Sequence, residues 1–349
     1  MEKQILKIGM PAGSLADPKR GGNLIQLLEV AGFKTSGYES GGPSKFRSIN
    51  YLFGWDGRPQ EFGSQLGINE LDVAIAGDDW IYERSLELQY EYNTNIELEK
   101  VLSLKRGIVK IVAIIENENT NDNIETLLRR LCEEKKIITI VSEMPYIALN
   151  WLRDVLGKIG ELKKFNNFSV QKYKTPFKIK QGVIVYETWG KTEAKVKNKG
   201  ADIGVEITQT GSAIDNYGLK IIDTVMQSET GIWINPHLKK DLGKIDLLKM
   251  FLLNLYGVVN AENKVMILFN VSNNHVKEIE KYLRSNSLFA DEPTMNIGKT
   301  FTEFSIQIDI ANPDIPLAKI RYELAKRKAV NINTIPIDSS IYNIDVLGF

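Results

Sequence analysis

Cysteine and histidine are both scarce in this sequence of 349 residues, and their scarcity excludes several kinds of site. The single cysteine is Cys132, so the chain can form no internal disulfide and no zinc site built from cysteines. The two histidines, His237 and His275, lie far apart in sequence, which argues against a histidine-rich metal site. A Ser-His or Cys-His nucleophile pair is therefore not expected.

Net charge and long apolar segments are lacking as well. Lys and Arg together number 44, and Asp and Glu also number 44, so the formal net charge is zero. Nucleic-acid binding usually requires a basic excess, so we predict no nucleic-acid partner, although a local basic pocket for one phosphorylated molecule is allowed. No stretch approaches the roughly 18 apolar residues of a membrane span, and we predict a cytoplasmic protein without membrane contact.

Short apolar strands alternate with helical patterns along most of the chain, which indicates an α/β fold of two or three domains. The segment AGDDW (76–80) is interpreted as a strand that runs into a loop, and KIIDTVMQSETGIWINP (220–236) as two strands. After residue 258 the order strand-helix-strand-strand-helix-strand predicts a ferredoxin-like domain over 259–349. Domains of this shape bind small regulators or mediate assembly, and the pattern does not decide between the two.

Polar residues follow several predicted strands, at positions where α/β proteins bind ligands. The most specific of these segments is EITQTGS (206–212). If a helix begins near Ser212, its free N–H groups, with Gly211 and the hydroxyl of Thr210, could hold a phosphate, and Glu206 could accept hydrogen bonds from a ribose. The alternative is an ordinary strand-to-helix turn, because Thr-Gly-Ser is common at helix N-termini. No lysine follows at the P-loop position, so a P-loop is excluded.

Two further segments carry candidate ligands. Asp78 and Asp79 could chelate Mg²⁺ through their carboxylates, or they could only cap a helix. Arg58 follows a glycine turn and could bind a phosphate with both arms of its guanidinium group, or it could be an ordinary surface arginine. The residues alone leave these alternatives open.

Several segments together resemble the ATP phosphoribosyltransferase family, the first enzymes of histidine biosynthesis, and the resemblance runs collinearly over nearly the whole chain. The opening turn is MPAGSL (10–15), and it is followed by RPQEFGSQLGINELDVAIAGDDWI (58–81) and VSEMPYIALNWL (141–152). TWGKTEAKV (188–196) resembles the family's Trp-Gly-x-Thr-Glu segment. ADIGVEITQTGSAI (201–214), with the strands after it, is similar to the family's phosphoribosyl-pyrophosphate loop.

The resemblance implies a two-lobed α/β catalytic unit of the type II periplasmic-binding-protein class, with the active site in its cleft. Residues 1–106 and 217–258 would form the first lobe, and 107–216 the second lobe with the phosphoribosyl-pyrophosphate loop. Residues 259–349 would form a regulatory, ACT-like domain with the ferredoxin-like arrangement, as in the long form of the enzyme. In the family that domain binds histidine as a feedback inhibitor, and the resemblance suggests a homo-oligomer, a hexamer or a dimer.

The implied reaction joins N1 of the adenine of ATP to C1 of phosphoribosyl pyrophosphate and releases pyrophosphate, which gives phosphoribosyl-ATP. Its transition state should have oxocarbenium character, so catalysis needs positioning and charge stabilisation rather than a covalent nucleophile. The lack of a Ser-His or Cys-His pair fits that chemistry. Mg²⁺ is the expected cofactor, because it would neutralise the pyrophosphate leaving group.

The resemblance also carries roles to individual residues. The predicted catalytic residues are Glu206, as a ligand of the ribose hydroxyls, Glu193 of the Trp-Gly-x-Thr-Glu segment, and Arg58. The remaining predicted residues bind substrate, most of them in the loop that holds the 5′-phosphate. They are Gln209, Thr210, Gly211, Ser212, Ala213, Gly13, Ser14 and Asp79. The resemblance assigns no metal ligand.

The sequence departs from the family around this site. The lysine of the opening turn is Ala12, the last hydroxyl of the loop is Ala213, and an arginine common after the loop is Asp215. Candidate replacement cations are Lys19, Arg20 and Arg47. Loss of cations should weaken polyphosphate binding, because charge-assisted hydrogen bonds are the strong ones. Two alternatives therefore stay open: a diverged paralogue that binds nucleotide or phosphoribosyl pyrophosphate without turnover, and a phosphoribosyltransferase with another acceptor.

Overall fold

The computed structural model describes residues 4–12, 23–38, 44–47, 49, 52–288 and 294–349. The strands are β1 (Leu6–Pro11), β2 (Thr35–Ser36), β3 (Lys45–Phe46), β4 (Leu52–Gly57), β5 (Val73–Gly77), β6 (Glu99–Glu116), β7 (Ile137–Ser142), β8 (Phe168–Lys172), β9 (Gly182–Glu187), β10 (Ile203–Thr208), β11 (Leu219–Ile234), β12 (Lys264–Ser272), β13 (Thr294–Ile297), β14 (Phe301–Asp309) and β15 (Val330–Pro336). The helices are α1 (Leu24–Val30), α2 (Pro59–Gly67), α3 (Asp78–Tyr92), α4 (Ile124–Glu134), α5 (Pro145–Lys158), α6 (Thr192–Lys197), α7 (Ser212–Asn216), α8 (Leu242–Ala261), α9 (Val276–Ser285) and α10 (Leu317–Lys326).

The chain divides into two compact units, and the first holds a mixed sheet of 11 strands. Its strand order is β2-β3-β4-β1-β5-β11-β6-β10-β7-β9-β8. Strand β1 runs parallel to β4 and β5 at one end of the sheet, and β7 runs parallel to β9 and β10 at the other. We call these two ends, with their helices, the first and the second lobe. The arrangement confirms the predicted α/β class with two lobes.

The lobes share one sheet because the long strands β6 and β11 form an antiparallel ribbon between them. Strand β5 pairs with residues 230–234 of β11, and its last residue, Gly77, pairs with Thr230. Thr230 in turn lies opposite Arg106 of β6. Strand β10 pairs with the other part of β6, and its last residue, Thr208, lies opposite Lys110. The carboxyl ends of β5 and β10 therefore converge on the middle of the ribbon.

Irregular backbone marks the same middle part of the ribbon. Lys105 and Gly107 have positive φ values of 51° and 59°, and the register with β11 shifts between Ser228 and Thr230. Such bulges bend a strand and increase its twist. The boundary expected at residues 106 and 107 falls inside this bend of β6.

The second lobe buries apolar side chains on both faces of its strands. On one face α4 and α5 pack through residues such as Leu128, Leu152 and Leu156, which are fully buried with Ile140. On the other face Val196 of α6 and Ile214 of α7 pack against the strands. A parallel strand covered on both faces reads as a continuous apolar run, which is why β7 and β9 were predictable from sequence. The packing fixes α6 and α7 beside the end of β10.

Two elements differ from the sequence-based expectation. Residues 78–92 form the helix α3 rather than a loop, and its sequence DDWIYERSLELQYEY carries many charged and aromatic residues. Its packing partners include α5 and β11, which are distant in sequence, and its own amphipathic pattern is weak. Residues 219–234 form the single strand β11 rather than two strands, because bulges interrupt its pattern without ending it.

The second unit comprises Val30–Gly32 and Phe251–Phe349. It holds a four-stranded antiparallel sheet of order β13-β14-β12-β15, with α9 and α10 between the strands. The element order β12-α9-β13-β14-α10-β15 is the predicted ferredoxin-like order. The rings of Phe269 and Phe304 stack in its core at 5.1 Å between centroids. Among the helices of the described residues, we find none with the length and apolar character of a membrane span.

Replacement of Gly182 by Ala is expected to destabilise the protein by about 3 kcal/mol. Gly182 has φ +131°, and a Cβ there would lie 2.0 Å from the backbone oxygen of Asn167. Gly160 is the matched control, because its φ is +83° but no atom lies within 4 Å of a Cβ. Gly160→Ala should cost only about 1 kcal/mol. Urea unfolding measures both, and equal losses would contradict the steric account.

Candidate active site

The loop after β10 is closed by its own side chains. Gly211 has φ +80°, a left-handed conformation that favours glycine. Its N–H donates to Thr208 Oγ1 at 2.8 Å, and the hydroxyls of Thr210 and Ser212 lie 2.8 Å apart. Two residues of the loop therefore serve to hold its shape, and the turn is preorganised before any ligand arrives.

The loop presents its polar groups to solvent. Gln209, Thr210, Ser212 and Ala213 are exposed, whereas Gly211 is buried. Helix α7 has only 5 residues, so its dipole adds little, and an anion here would be bound by loop N–H groups and hydroxyls. An anion at this loop would therefore receive less help from a helix than the sequence suggested.

Glu206, the last acid before the loop, lies among other carboxylates. Burial, together with the charges of Glu193 and Glu143, raises the pKa of Glu206 to about 7, although the Thr192 hydroxyl and the N–H of Ile207 act to lower it. The Ile207 N–H donates to Glu206 Oε1 at 3.0 Å. The structure therefore brings the predicted residues Glu206 and Glu193 together, and adds a third acid.

That third acid, Glu143, was not among the predicted site residues. It follows β7 directly, and its Oε1 lies 3.6 Å from where a Cβ on Gly190 would be. Gly190 has a positive φ of 74° and belongs to the turn of the Trp-Gly-x-Thr-Glu segment. The sequence signal for Glu143 was its place in SEMP (142–145), an acid directly after a buried strand.

A cavity of about 190 Å³ lies between the lobes beside this group. The first lobe contributes Trp80, Glu83 and Arg84 to its wall, and the second contributes Glu143, Tyr146 and Trp189. Trp189 is 68% exposed, although large aromatic side chains are usually well buried. Two indole rings with several carboxylates suit a flat, polar ring better than a polyphosphate.

The two acids of AGDDW have different partners. The carboxylate of Asp78 pairs with Lys100 at 2.9 Å, and Lys100 also binds Glu229 at 2.8 Å. Asp79 is 5% exposed, and its Oδ1 accepts from the N–H of Trp80 at 2.9 Å. Burial raises the pKa of Asp79. The pair thus caps and anchors α3, and no chelating pair is formed.

Asp79 nevertheless lies level with the loop along the ribbon. Its N–H donates to Ser228 Oγ at 3.1 Å. The preceding residue of β11, Gln227, pairs with Lys110 of β6, which in turn pairs with Thr208 at the start of the loop. The convergence of β5 and β10 therefore brings Asp79 and the loop to the same level of the sheet.

Lys110 is a cation that the sequence analysis did not single out. It is exposed and lies directly opposite Thr208, so both side chains point to the same face of the sheet. In the part of the chain that the structure describes, it forms no ion pair. Its position inside the apolar run GIVKIVAIIE (107–116) was the available signal.

The other predicted residues lie apart from this group or outside the described residues. Arg58 is exposed at the start of α2, and among the described residues its guanidinium group contacts neither Glu206 nor the loop. Gly13 and Ser14 lie outside the described residues, as do Lys19 and Arg20. Ala12 is exposed, and its N–H donates to the Gly57 oxygen at 3.2 Å.

A divalent metal has no ready-made protein cage here. The described ranges contain no cluster of three or more His, Cys, Asp or Glu side chains arranged to hold a metal ion. Glu206, Glu193 and Glu143 influence one another electrostatically, but their oxygens do not converge on one point. A metal at this site would have to take most of its ligands from a bound substrate and water, as Mg²⁺ commonly does with phosphates.

An α/β sheet whose strand ends carry acids and hydroxyls around an interlobe cleft has the arrangement of an enzyme for a small polar substrate. The family model for ATP phosphoribosyltransferase matches residues 58–254, which is more than half of the chain. The chain therefore belongs to the ATP phosphoribosyltransferase family, and it is a phosphoribosyltransferase.

Individual relatives agree with this assignment. An ATP phosphoribosyltransferase of Pelodictyon phaeoclathratiforme is 28% identical over 280 residues, which cover 79% of each chain. ATP phosphoribosyltransferase 1 of Geobacter sulfurreducens is 25% identical over 347 residues, covering 97% of this chain and 99% of the relative. Among solved structures, a chain of the ATP phosphoribosyl transferase (HisG:HisZ) complex of Thermotoga maritima has a TM-score of 0.48 at 15% identity, covering 72% of this chain and 98% of that one.

Replacement of Glu206 by Gln is expected to stabilise the protein at alkaline pH. Because the pKa of Glu206 is raised on folding, the folded chain keeps a proton that the unfolded chain loses near pH 4.3, so stability falls as the pH rises towards 7. Glu206→Gln removes this loss. Its thermal midpoint should exceed that of the wild type at pH 8 and match it at pH 4.

The control is Glu133→Gln, which removes an exposed carboxylate of α4. It should change the thermal midpoint equally little at both pH values. A Glu206→Gln variant whose midpoint shifted by the same amount at pH 4 and pH 8 would contradict the raised pKa.

Proposed function

We propose that the protein joins N1 of the adenine of ATP to C1 of phosphoribosyl pyrophosphate. The new N–C bond forms as the bond from C1 to the pyrophosphate oxygen breaks, and pyrophosphate leaves with the bonding electrons. The observation that carries the proposal is the family match over 58–254, which includes the preorganised loop after β10 and Glu206 directly before it.

In this proposal the loop of residues 209–213 holds the 5′-phosphate through its N–H groups and hydroxyls. Glu206, once ionised, accepts hydrogen bonds from the ribose hydroxyls next to C1. Glu206 and Glu193 then place negative charge beside a ribose ring that becomes positive in the transition state, which is the form of catalysis that needs no covalent nucleophile. Positioning of both substrates supplies the remaining acceleration.

The interlobe cavity is the proposed site of the adenine ring. Trp80 and Trp189 offer aromatic faces for stacking, and Glu143 offers an acceptor for the amino group of adenine. This arrangement would hold N1 of the base towards the ribose beside Glu206. Arg58 would then contact phosphates of the nucleotide from the first lobe, and Asp79 would fix the backbone of Trp80 through its 2.9 Å hydrogen bond.

The positive charge that the protein offers to the pyrophosphate is the part of the site that differs most from the family. We assign to Lys110 the contribution that the family's opening lysine would make, because it is opposite Thr208 and has no ion-pair partner among the described residues. Mg²⁺ would supply further charge neutralisation when it is bound to the pyrophosphate. The protein groups nearest to it would be the loop and Asp79 rather than a carboxylate cage.

We extend the proposal to domain organisation and regulation. Residues 1–106 and 217–258 would act as the first lobe, 107–216 as the second, and 259–349 as a regulatory domain. The ferredoxin-like element order of that last segment supports a role in sensing histidine and in assembly of a homo-oligomer.

The proposal predicts turnover by the purified protein. With ATP, phosphoribosyl pyrophosphate and Mg²⁺, phosphoribosyl-ATP should accumulate with an equal amount of pyrophosphate, and histidine should slow both. Mass spectrometry detects the first product and a coupled assay the second. Binding of both substrates without product would indicate a non-catalytic paralogue, and pyrophosphate release only with another base would indicate a different acceptor.

Removal of the Lys110 charge should weaken binding of phosphoribosyl pyrophosphate specifically. In Lys110→Met the KM for this substrate should rise about tenfold with little change in kcat, because a charge-assisted contact present in ground and transition states is lost. The KM for ATP should change far less. Lys163→Met, which removes an exposed positive charge outside the site, is the control, and equal effects of the two variants would contradict a local role.

A further inference from the structure

Glu83 connects the two lobes by hydrogen bonds. It lies in α3 of the first lobe and is 7% exposed. Its Oε1 accepts the N–H of Tyr146 at 3.0 Å, and its Oε2 accepts the N–H of Ile147 at 2.7 Å. Both residues belong to the first turn of α5 in the second lobe. One buried side chain therefore bonds two backbone groups across the cleft.

These two N–H groups depend on Glu83 for a partner. The first N–H groups of a helix have no acceptor within the helix. At the start of α5, Pro145 has no N–H, and the first internal bond runs from the Ala148 N–H to the Met144 oxygen. The N–H groups of Tyr146 and Ile147 lie between Pro145 and Ala148 and have no acceptor within the helix. A carboxylate is a suitable acceptor here, because the helix dipole places positive charge at its N-terminus.

Further polar contacts run along the same pair of helices. Tyr90 donates its hydroxyl to Asn150 Oδ1 at 2.9 Å, and the Tyr146 hydroxyl donates to Glu91 Oε1 at 3.1 Å. Tyr90 and Glu91 lie about two helical turns further along α3 than Glu83, which is the buried carboxylate of the α3–α5 contact. Opening of the cleft would break the whole row and hydrate Glu83.

We propose that Glu83 is an interlobe latch, a positioning residue that holds the cleft closed with Glu143 and Trp189 of the second lobe facing Trp80 of the first. Glu143 lies two residues before the helix start that Glu83 binds, so the latch also fixes the turn that carries it. Release of the two N–H groups is the opening step that admits and releases substrate.

Ionisation of Glu83 decides whether it can bind both N–H groups. Burial, with the charge of Glu87, raises the pKa of Glu83 to about 8, while the Tyr146 and Ile147 N–H groups and Arg84 lower it. Glu143 lines the same cavity. A protonated Glu83 has one oxygen that accepts and one that donates, so only the ionised carboxylate accepts both N–H groups. The variants are therefore compared at pH 9, where Glu83 is ionised.

Hydrogen exchange of the α5 first turn tests the latch directly. In Glu83→Gln one carbonyl oxygen can still accept an N–H group. The side-chain NH₂ group is a donor and cannot accept the other. The amides of Tyr146 and Ile147 should then exchange at least tenfold faster, while Ala148 and later amides of α5 stay protected. Glu87→Gln, which removes the neighbouring charge but none of these acceptors, should leave both amides protected.

The closed fraction and the kinetics give independent readouts. X-ray scattering at pH 9 should show Glu83→Gln expanded relative to the wild type. The kinetic prediction rests on the proposed function. In Glu83→Gln the KM values for both substrates should rise about tenfold with kcat retained, because only the closed fraction is competent to bind. Absent turnover in the wild type would reject the proposed function and leave the exchange and scattering tests valid.

Specific outcomes overturn the latch. Unchanged exchange at Tyr146 and Ile147 in a folded Glu83→Gln protein would show that Glu83 does not hold them. Faster exchange along all of α5 would show a structural role only. If Glu83→Gln fails to fold, Glu83→Asp keeps the charge but is one methylene shorter, and it should expose the same two amides. Retained protection in Glu83→Asp would likewise overturn the proposal.

Discussion

The ribbon of β6 and β11 is the constraint on which the rest of the catalytic unit depends. Strand β5 pairs with β11 on one side of the ribbon's middle, and β10 pairs with β6 on the other side. The two strands run towards each other, so their carboxyl ends meet at the middle of the ribbon. Ligand-binding residues of α/β sheets gather at such ends. The bulges near Lys105 and Ser228 bend the ribbon at that same level. One pairing scheme thus places the cleft between the lobes, lines it with residues from both, and puts the bend of the ribbon at the same level.

Carboxylates in this cleft are held where their charged forms are disfavoured. Glu206 is surrounded by acids and is only partly compensated, and burial raises its pKa to about 7. Glu83 is more deeply buried but receives two N–H groups, which offset part of the cost of its desolvation. An acid near neutral pKa can bind a cationic transition state strongly, because its charge is poorly satisfied in the free enzyme.

Sequence reasoning predicted the parts whose information is local. The fold class, the C-terminal element order and the proximity of Glu206 to Glu193 follow from apolar runs and motifs that resemble a family. It could not predict α3, because its burial depends on α2 and α5, nor the role of Glu83 within it. Lys110 and Glu143 were missed for a related reason: each becomes a site residue only through strand register or a neighbouring turn. The burial of Asp79 is likewise a tertiary effect.

The three departures from the family differ in how strongly each should affect phosphate binding. Ala213 removes a hydroxyl but leaves the loop's N–H groups and the left-handed Gly211 in place, so the cradle keeps its main donors. Asp215 reverses a charge, yet it is exposed, where water and salt screen a charge over about 8 Å. In the proposed function, Ala12 removes a cation from a site that binds a polyphosphate, and neither loop geometry nor screening offsets that. The strength of phosphoribosyl-pyrophosphate binding therefore rests on whichever cations replace it, and Lys110 is placed by register on the face where the loop begins.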